Sequence, residues 1–200
     1  MTPNHPTGGV ALITGGGGGI GGATAERLAA NGVAVAIADF NFDNADDVRD
    51  RILAAGGAAC SIGLDVTDPG SVTAGVAEAQ ESLGPIDQLV NTAGTFQWAT
   101  MEDISDTDFE NMFRVHVFGM HSVCRAVIPG MVARSAGAVV NVTSIHAVRG
   151  QTLTAHYSAA KGAILSYTKA LAREKSPLGT AGALGLLNPR PDVPFVVTNG

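Results

Sequence analysis

The stretch TGGGGGIGG, residues 14–22, places seven glycines in nine positions. It follows an apolar run typical of a buried β-strand, residues 10–14, and leads into an alanine-rich segment typical of a helix, residues 21–31. The free N–H groups at a helix start attract a pyrophosphate, which comes close only where no Cβ intervenes. The position of the stretch therefore predicts a dinucleotide-phosphate site, although a flexible loop without a ligand also explains the glycines taken alone.

Composition narrows the class of protein. The 200 residues are 46% hydrophobic and 15% charged, which favours one globular domain with a sizeable core. The net charge of −6 and the scattered Lys and Arg residues argue against nucleic acid as a partner. The sequence shows no leader pattern at its start and no long apolar run. Cys60 and Cys124 lie far apart and are interpreted as buried thiols. We therefore expect a cytoplasmic protein that does not bind a membrane.

The chain alternates between β-type runs and helical segments, which is typical of a doubly wound parallel sheet, the Rossmann fold of the α/β class. Strands are predicted at residues 10–14, 33–39, 58–66, 86–91 and 137–144. Helices are predicted at residues 21–31, 44–55, 68–83, 105–132 and 154–174. We expect a single domain over residues 10–175, preceded by a tail of residues 1–9. Residues 176–200 form an atypical Gly/Pro-rich tail, so the domain is predicted to be shortened at its C-terminal end.

Asp39 ends the second predicted strand, about 20 residues after the glycine turn. A carboxylate at this place accepts hydrogen bonds from an adenosine ribose and repels a 2′-phosphate. The residue therefore predicts NAD rather than NADP as the cofactor, while a solvated turn residue is the alternative.

Several motifs in order resemble the short-chain dehydrogenases/reductases over residues 10 to about 174. The glycine motif is matched by Thr14, Gly15, Gly19 and Gly21 around Ile20, and Asp65-Val66 resembles the pair that holds the adenine. NTAG resembles the NNAG motif after strand four, with Thr92 in place of an asparagine. The resemblance implies these cofactor-binding residues: Thr14, Gly15, Gly19, Ile20, Gly21, Asp39, Asp65, Val66, Asn91, Ala93, Gly94, Tyr157 and Lys161.

The catalytic candidates are Tyr157 and Lys161 in YSAAK, with Ser144 at the end of a predicted strand. Residues at i and i+4 share one helix face, so the ammonium lies near the phenol. A positive charge at about 5 Å in a dielectric of about 20 is worth about 3 kcal/mol, which makes a phenol a usable proton carrier. By resemblance, Tyr157 exchanges the hydroxyl proton, Ser144 holds the same oxygen and Lys161 also binds the nicotinamide ribose.

The histidines suggest other enzyme classes. His146 and His156 flank Ser144 and Tyr157, but Ser144 lies in no GxSxG elbow, which argues against a hydrolase. His116 and His121 are five apart without an HExxH motif, so no metal site is predicted. His146 is instead a candidate for the substrate pocket, and the other candidates are Phe96, Val148 and Gln151.

Two features depart from the family pattern. His116 occupies the position of an asparagine that helps to place a relay water, and we keep it as a catalytic candidate. After residue 174 only GALGLLNPRPDVPF resembles the sixth strand and turn of the family. Without the family's last strand and helix, we expect the sheet to keep an exposed edge and a partly uncovered face. The long helices over 105–132 and 154–174 resemble the fifth and sixth helices through which family members dimerise, which predicts a homodimer.

The leading hypothesis is an NAD-dependent oxidoreductase that interconverts a small-molecule secondary alcohol and a ketone through Tyr157. The alternative is a truncated, catalytically weak nucleotide-binding protein, which His116 and the short tail favour. A purely structural interaction module would leave the glycine turn and Asp39 without explanation.

Overall fold

The computed structural model describes residues 8–175 and 195–199. Its strands are β1 Val10–Thr14, β2 Ala34–Asp39, β3 Ala59–Gly63, β4 Gln88–Asn91, β5 Ala138–Thr143 and β6 Phe195–Asn199. Its α-helices are α1 Gly19–Ala29, α2 Phe42–Ala54, α3 Pro69–Leu83, α4 Asp106–Phe113, α5 Met120–Ala133, α6 His146–Arg149 and α7 Ala155–Lys175. The strands form one sheet in the order β3-β2-β1-β4-β5-β6, and every neighbouring pair is parallel.

Local sequence signals explain where the helices begin. Asp68 accepts a hydrogen bond from the backbone of Gly70 at 2.9 Å, and Pro69 follows it in the first turn of α3, as the sequence predicts. Ser105 and Asp108 form a reciprocal capping box at the start of α4. These side chains satisfy N–H groups that a helix leaves unpaired at its start.

The sheet is covered on both faces, because successive side chains of its strands point to opposite sides. One face packs against α3, α5 and α7, and the other packs against α1 and α2. Buried residues of the first cluster include Leu12, Ala36, Val72, Val123 and Ile164. Buried residues of the second cluster include Ile13, Ile37, Ala25, Val48 and Ile52. The predicted doubly wound sheet is confirmed.

A π-helical turn, Arg114–Gly119, joins α4 to α5 in one continuous rod, Asp106–Ala133. By length and composition this 28-residue rod could cross a membrane, and 44% of its most apolar window is buried inside the protein. Met120, Val123 and Val127 pack into the core on one face of the sheet. The rod therefore has the contacts of a core helix. Turns of this type interrupt a helix most often at functional sites.

Strand order places a cleft at the carboxyl end of the sheet. The chain leaves β1 towards β2 on one side, and it returns to pair β4 on the other. Ligands of open α/β sheets bind at such a switch point. Thr14 pairs in register with Asn91, and Asn91 pairs with Asn141, so three strand ends meet at the same level.

Three parts of the structure differ from the sequence-based expectations. Strand β3 ends at Gly63 instead of residue 66. The backbone N–H of Leu64 still donates to the carbonyl oxygen of Asp39 in β2 at 2.9 Å, and the chain turns away after this bond. The short helix α6 was not predicted. Residues 195–199, assigned above to an atypical tail, form β6 and pair with β5 in parallel. Among the described strands, β6 therefore lies at this edge of the sheet.

The cysteine expectation is correct in part. Cys60 and Cys124 are both free thiols, and Cys124 is buried, whereas Cys60 is only half-buried. Burial raises the pKa of Cys60 to about 11 and the pKa of Cys124 to about 12. Both thiols are therefore protonated and unreactive at neutral pH.

Candidate active site

Backbone contact requires glycine at two positions of the turn between β1 and α1. Gly15 has a φ of 66°, and a Cβ there would lie 2.8 Å from the Cα of Ala93. A Cβ at Gly21 would overlap the carbonyl oxygen of Gly15 and lie 2.8 Å from Thr92 Oγ1. The turn therefore packs directly on the segment that follows β4.

Gly19 has a different reason to be glycine. A Cβ on it would meet no protein atom within 4 Å, so packing does not require its absence. Gly19 is the first residue of α1, and Gly18 before it has no side chain to cap the free N–H groups. Open space in front of uncapped N–H groups fits an approaching phosphate. Ile20, in the same turn, is 60% exposed.

Asp39 holds the glycine turn as well as facing the cleft. Its Oδ2 accepts a hydrogen bond from the backbone of Gly17 at 3.0 Å, and its Oδ1 accepts one from Asn41 at 2.9 Å. A carboxylate oxygen accepts more than one hydrogen bond, so both oxygens retain capacity for a ribose. The predicted ribose ligand is thus also the support of the phosphate loop.

A cleft of about 360 Å³ opens beside this turn. Its walls come from the ends of the four strands β1 to β4 and from the π-helical turn. The residues that line it are Gly15, Asp39, Phe40, Leu64, Asp65, Val66, Thr67, Ala93, Gly94, Thr95 and Val115. Asp65 Oδ1 accepts hydrogen bonds from the backbone and the hydroxyl of Thr67, each at 2.8 Å. The walls include six predicted nucleotide-contact residues: Gly15, Asp39, Asp65, Val66, Ala93 and Gly94.

Thr14 and Asn91 lie beneath the cleft in a buried polar network. Thr14 Oγ1 donates to Asn91 Oδ1 at 3.4 Å, and Asn91 Nδ2 donates to Asn141 Oδ1 at 2.8 Å. Asn141 in turn donates to Thr168 of α7 at 2.9 Å. The network ties three strand ends to α7. The described contacts of the Asn91 side chain are therefore within the protein, whereas the sequence analysis placed Asn91 against the cofactor.

Tyr157 and Lys161 occupy successive turns of α7. Lys161 Nζ lies 5.6 Å from the centre of the Tyr157 ring and donates to the carbonyl oxygen of Val142 at 3.0 Å. Thr143 Oγ1 donates to the backbone of Lys161 at 2.7 Å, which ties α7 to the end of β5. Lys161 is 5% exposed, and burial lowers its pKa to about 8, so it still carries its charge at pH 7.

Ser144 follows β5 and joins this group through His146. Its Oγ accepts a hydrogen bond from the backbone N–H of His146 at 3.2 Å. The His146 ring stands edge-on to the Tyr157 ring, with centroids 5.7 Å apart. Because the hydroxyl of Ser144 accepts this bond, its own proton is left for another oxygen.

His116 lies in the π-helical turn and packs edge-on against Tyr157, with ring centroids 5.5 Å apart. Its Nε2 lies 2.8 Å from the carbonyl oxygen and 3.1 Å from the backbone nitrogen of Thr95. A Cβ at Gly94 would overlap the imidazole, so glycine makes room for it. Burial, together with the Lys161 charge, lowers the pKa of His116 to about 4. The hydrogen bond with Thr95 acts in the opposite direction but is the smaller effect. The imidazole is neutral at pH 7.

The structure thus brings together the residues that the sequence proposed from five separate segments. Ile20 and Gly19 stand at the start of α1, and the catalytic candidates stand around Tyr157. The sequence analysis missed the hydrogen bond from Gly17 to Asp39 and the hydrogen bond between Asn141 and Thr168. It also missed the side chain of Trp98, whose ring centroid lies 4.9 Å from that of Phe96. The run FQW, one residue after NTAG, was the available signal for Trp98.

A glycine turn at the switch point of a doubly wound parallel sheet defines the Rossmann-type nucleotide-binding fold. The family model described as short chain dehydrogenase matches residues 9–181. The chain belongs to the short-chain dehydrogenase family.

Similar proteins agree with this assignment. The chain is 40% identical over 170 residues to the short-chain reductase protein NovJ of Streptomyces niveus, covering 85% of this chain and 64% of that protein. It is 39% identical over 160 residues to a sorbitol dehydrogenase of Cereibacter sphaeroides, covering 80% of this chain and 61% of that protein. The crystal structure of an NAD+-bound xylitol dehydrogenase superposes with a TM-score of 0.82 at 35% identity, covering 85% of this chain and 66% of that one. The chain thus spans less than two thirds of the length of these relatives.

Gly19→Ala separates a ligand requirement from a packing requirement. We expect the free energy of unfolding to change by no more than about 1 kcal/mol, because the new Cβ meets open space at a helix start. We expect the dissociation constant for NADH to rise at least about tenfold, because the Cβ stands where a phosphate approaches the N–H groups. Calorimetric titration with NADH and urea unfolding measure the two effects.

Gly130→Ala in α5 is the matched control, since its Cβ would meet only the flexible end of Arg134 at 3.4 Å. It should leave the affinity for NADH as in the parent. Unchanged affinity in Gly19→Ala as well would show that no phosphate lies at this turn.

The buried imidazole of His116 makes stability sensitive to acid. Its pKa is about 4 in the folded chain and about 6.5 when exposed, so below pH 6.5 the unfolded chain takes up the proton first. Between pH 6.5 and 4, the free energy of unfolding of the parent should therefore fall by up to about 3 kcal/mol more than that of His116→Asn. Urea unfolding at a series of pH values measures the difference, and parallel profiles would contradict a neutral, buried His116.

Proposed function

We propose that this protein is an NAD-dependent oxidoreductase that interconverts a secondary alcohol and a ketone. The observation that carries the proposal is the contact of Tyr157 with His116, which bonds Thr95 in the wall of the cleft beside the glycine turn. Lys161 and His146, which bonds Ser144, lie next to the same tyrosine ring. A buried ammonium lies 5.6 Å from the centre of the phenol ring, which places a positive charge beside the proposed general base. Family membership and the dehydrogenases among its relatives support the same reaction.

NAD, when bound, supplies the hydride acceptor, and the chain supplies the proton chemistry. The Tyr157 oxygen takes the hydroxyl proton of the alcohol in oxidation and returns it to the carbonyl in reduction. Ser144 donates its free hydroxyl proton to the same substrate oxygen and so orients it. Lys161, held by Val142 O, keeps the positive charge that stabilises the phenolate and has further N–H groups for a ribose.

His116 is proposed as the relay residue in place of asparagine. Its Nδ1 is buried without a hydrogen-bond partner among the described residues. His116 lines a void of about 10 Å³ with Thr14 and Asn91, which is close to the space that one water needs. A water there accepts or donates a hydrogen bond at Nδ1, and a neutral imidazole passes a proton without adding charge beside Lys161.

Two further proposals concern the oligomeric state and the cellular location of the protein. A homodimer through the rod Asp106–Ala133 and α7 is supported by exposed apolar side chains on the rod, Phe109, Phe118 and Val132. A cytoplasmic location is supported by the two free cysteines. The alternative of a weak nucleotide-binding protein rests on His116 and on the length of the chain relative to its relatives.

Tyr157→Phe tests the reaction. We expect kcat for a secondary alcohol to fall by about 10²- to 10⁴-fold, because the proton carrier is removed, while the affinity for NADH stays within about twofold. Tyr167→Phe is the matched control, because it is the second of the two tyrosines, lies on the same helix and bonds His121 at 2.9 Å. Equal turnover in Tyr157→Phe and the parent, or NADH binding without turnover in both, would favour the weak nucleotide binder.

Asp39→Asn tests the choice of cofactor. The asparagine keeps an oxygen for the Gly17 N–H group but loses the charge that repels a 2′-phosphate. The ratio of kcat/KM with NAD to that with NADP should fall at least about tenfold. Asp43→Asn neutralises an exposed carboxylate in the first turn of α2 and should leave this ratio unchanged. A parent that uses both cofactors equally would contradict the assignment to Asp39.

A further inference from the structure

Aromatic side chains surround Tyr157 at the mouth of the site. The Phe96 ring stands edge-on to the Tyr157 ring with centroids 4.8 Å apart, and Trp98 stands edge-on to Phe96 at 4.9 Å. His146 closes the other side, 5.7 Å from Tyr157 and 6.5 Å from Phe96. We call Phe96, Trp98 and His146 the aromatic wall. None of the nucleotide contacts described above uses it.

The outer members of the aromatic wall are exposed to an unusual degree for large rings. Phe96 is 46% exposed and Trp98 is 57% exposed. Leu153 adds an apolar side chain beside this segment, since its backbone bonds Ala99 and it is 47% exposed. Contiguous apolar surface beside a reactive group marks a place where a ligand binds.

Both ends of the segment that carries the two rings are anchored. Thr95, just before Phe96, bonds through its backbone to His116 Nε2. Ala99, just after Trp98, donates its backbone N–H to the carbonyl oxygen of Leu153 at 2.9 Å. The three residues between these anchors therefore present their side chains from a held backbone. Rings held in place before binding lose little entropy when a ligand packs on them.

We propose that the aromatic wall binds the side group of the substrate, and that this group is an aromatic ring attached to the reacting carbon. This inference rests on the function proposed above and names its substrate class. A flat ring packs edge-on or offset against Phe96 and Trp98 while the adjacent hydroxyl reaches Tyr157. Phe96 and Trp98 are then the residues that determine specificity.

The alternative substrate class is a polyol, as the names of several relatives indicate for those proteins. A chain of hydroxyl groups needs a hydrogen-bond partner for each group that loses water. The faces of Phe96 and Leu153 provide none, and the aromatic wall offers only the ring nitrogens of His146 and Trp98 as partners. A site built this way discriminates against the polyol, because each hydroxyl left without a partner costs affinity.

The first test compares alcohols on the whole chain with NAD. We expect kcat/KM for 1-phenylethanol to exceed that for sorbitol and for 2-butanol at least about tenfold. In Phe96→Leu and Trp98→Leu the value for 1-phenylethanol should fall at least about tenfold, mostly through KM, while that for 2-butanol stays within about threefold. Phe109→Leu is the matched control, since this ring is 41% exposed and stacks on Phe113 instead. Equal or greater turnover of sorbitol, or no effect of the two variants, would overturn the proposal.

A binding measurement keeps the test independent of turnover. Trp98 is the single tryptophan of the chain, so its emission reports directly on the aromatic wall. Titration of the Tyr157→Phe variant with 1-phenylethanol, with and without NAD, should shift or quench this emission, while sorbitol should not. An unchanged emission would mean that the wall takes no aryl alcohol, for example because another part of the chain covers it. Absence of NADH binding would instead count against the proposed function, and the titration would still decide what the wall binds.

Discussion

The close contact between the glycine turn and the segment after β4 is the constraint on which the rest of the site depends. A Cβ at Gly15 would lie 2.8 Å from the Cα of Ala93, so the two backbones can approach this closely only with glycine at residue 15. Gly21 lies equally close to Thr92 and fixes α1 against the same segment. Because two backbones meet without side chains between them, the start of α1 and the segment after β4 share one cleft.

That contact reaches the reacting group through a short series of neighbours. Thr95 lies three residues after Thr92 and holds His116, and His116 packs against Tyr157. Tyr157 in turn lies beside Lys161, whose ammonium is held by the end of β5. Burial lowers the pKa of both bases of this series, to about 4 for His116 and to about 8 for Lys161. It keeps His116 neutral and leaves Lys161 charged at neutral pH, so one positive charge faces the phenol.

Much of this arrangement could be predicted from residue order, although not all of it. The glycine turn, Asp39 and the Tyr157–Lys161 spacing carry local signals, and the five predicted strands and the helix start at Asp68 were confirmed. Helix α6 carries no comparable signal because it has only four residues. Strand β6 was missed because its partner, β5, is more than fifty residues away and pairing across that distance leaves no local pattern. The segment that carries Trp98 is held by the bond between Ala99 and Leu153, which also joins distant residues.

The sequence by itself determined the class of fold, the position of the glycine turn and the identity of the tyrosine and lysine, because strand periodicity, turn residues and i, i+4 spacing are properties of neighbouring residues. The tertiary structure alone decided that Asp39 supports the phosphate loop, that Asn91 lies beneath the cleft and that aromatic rings stand beside Tyr157. These features depend on which segments meet at the carboxyl end of the sheet. Only the parallel pairing of β1, β4 and β5 brings residues so far apart in the chain to one level.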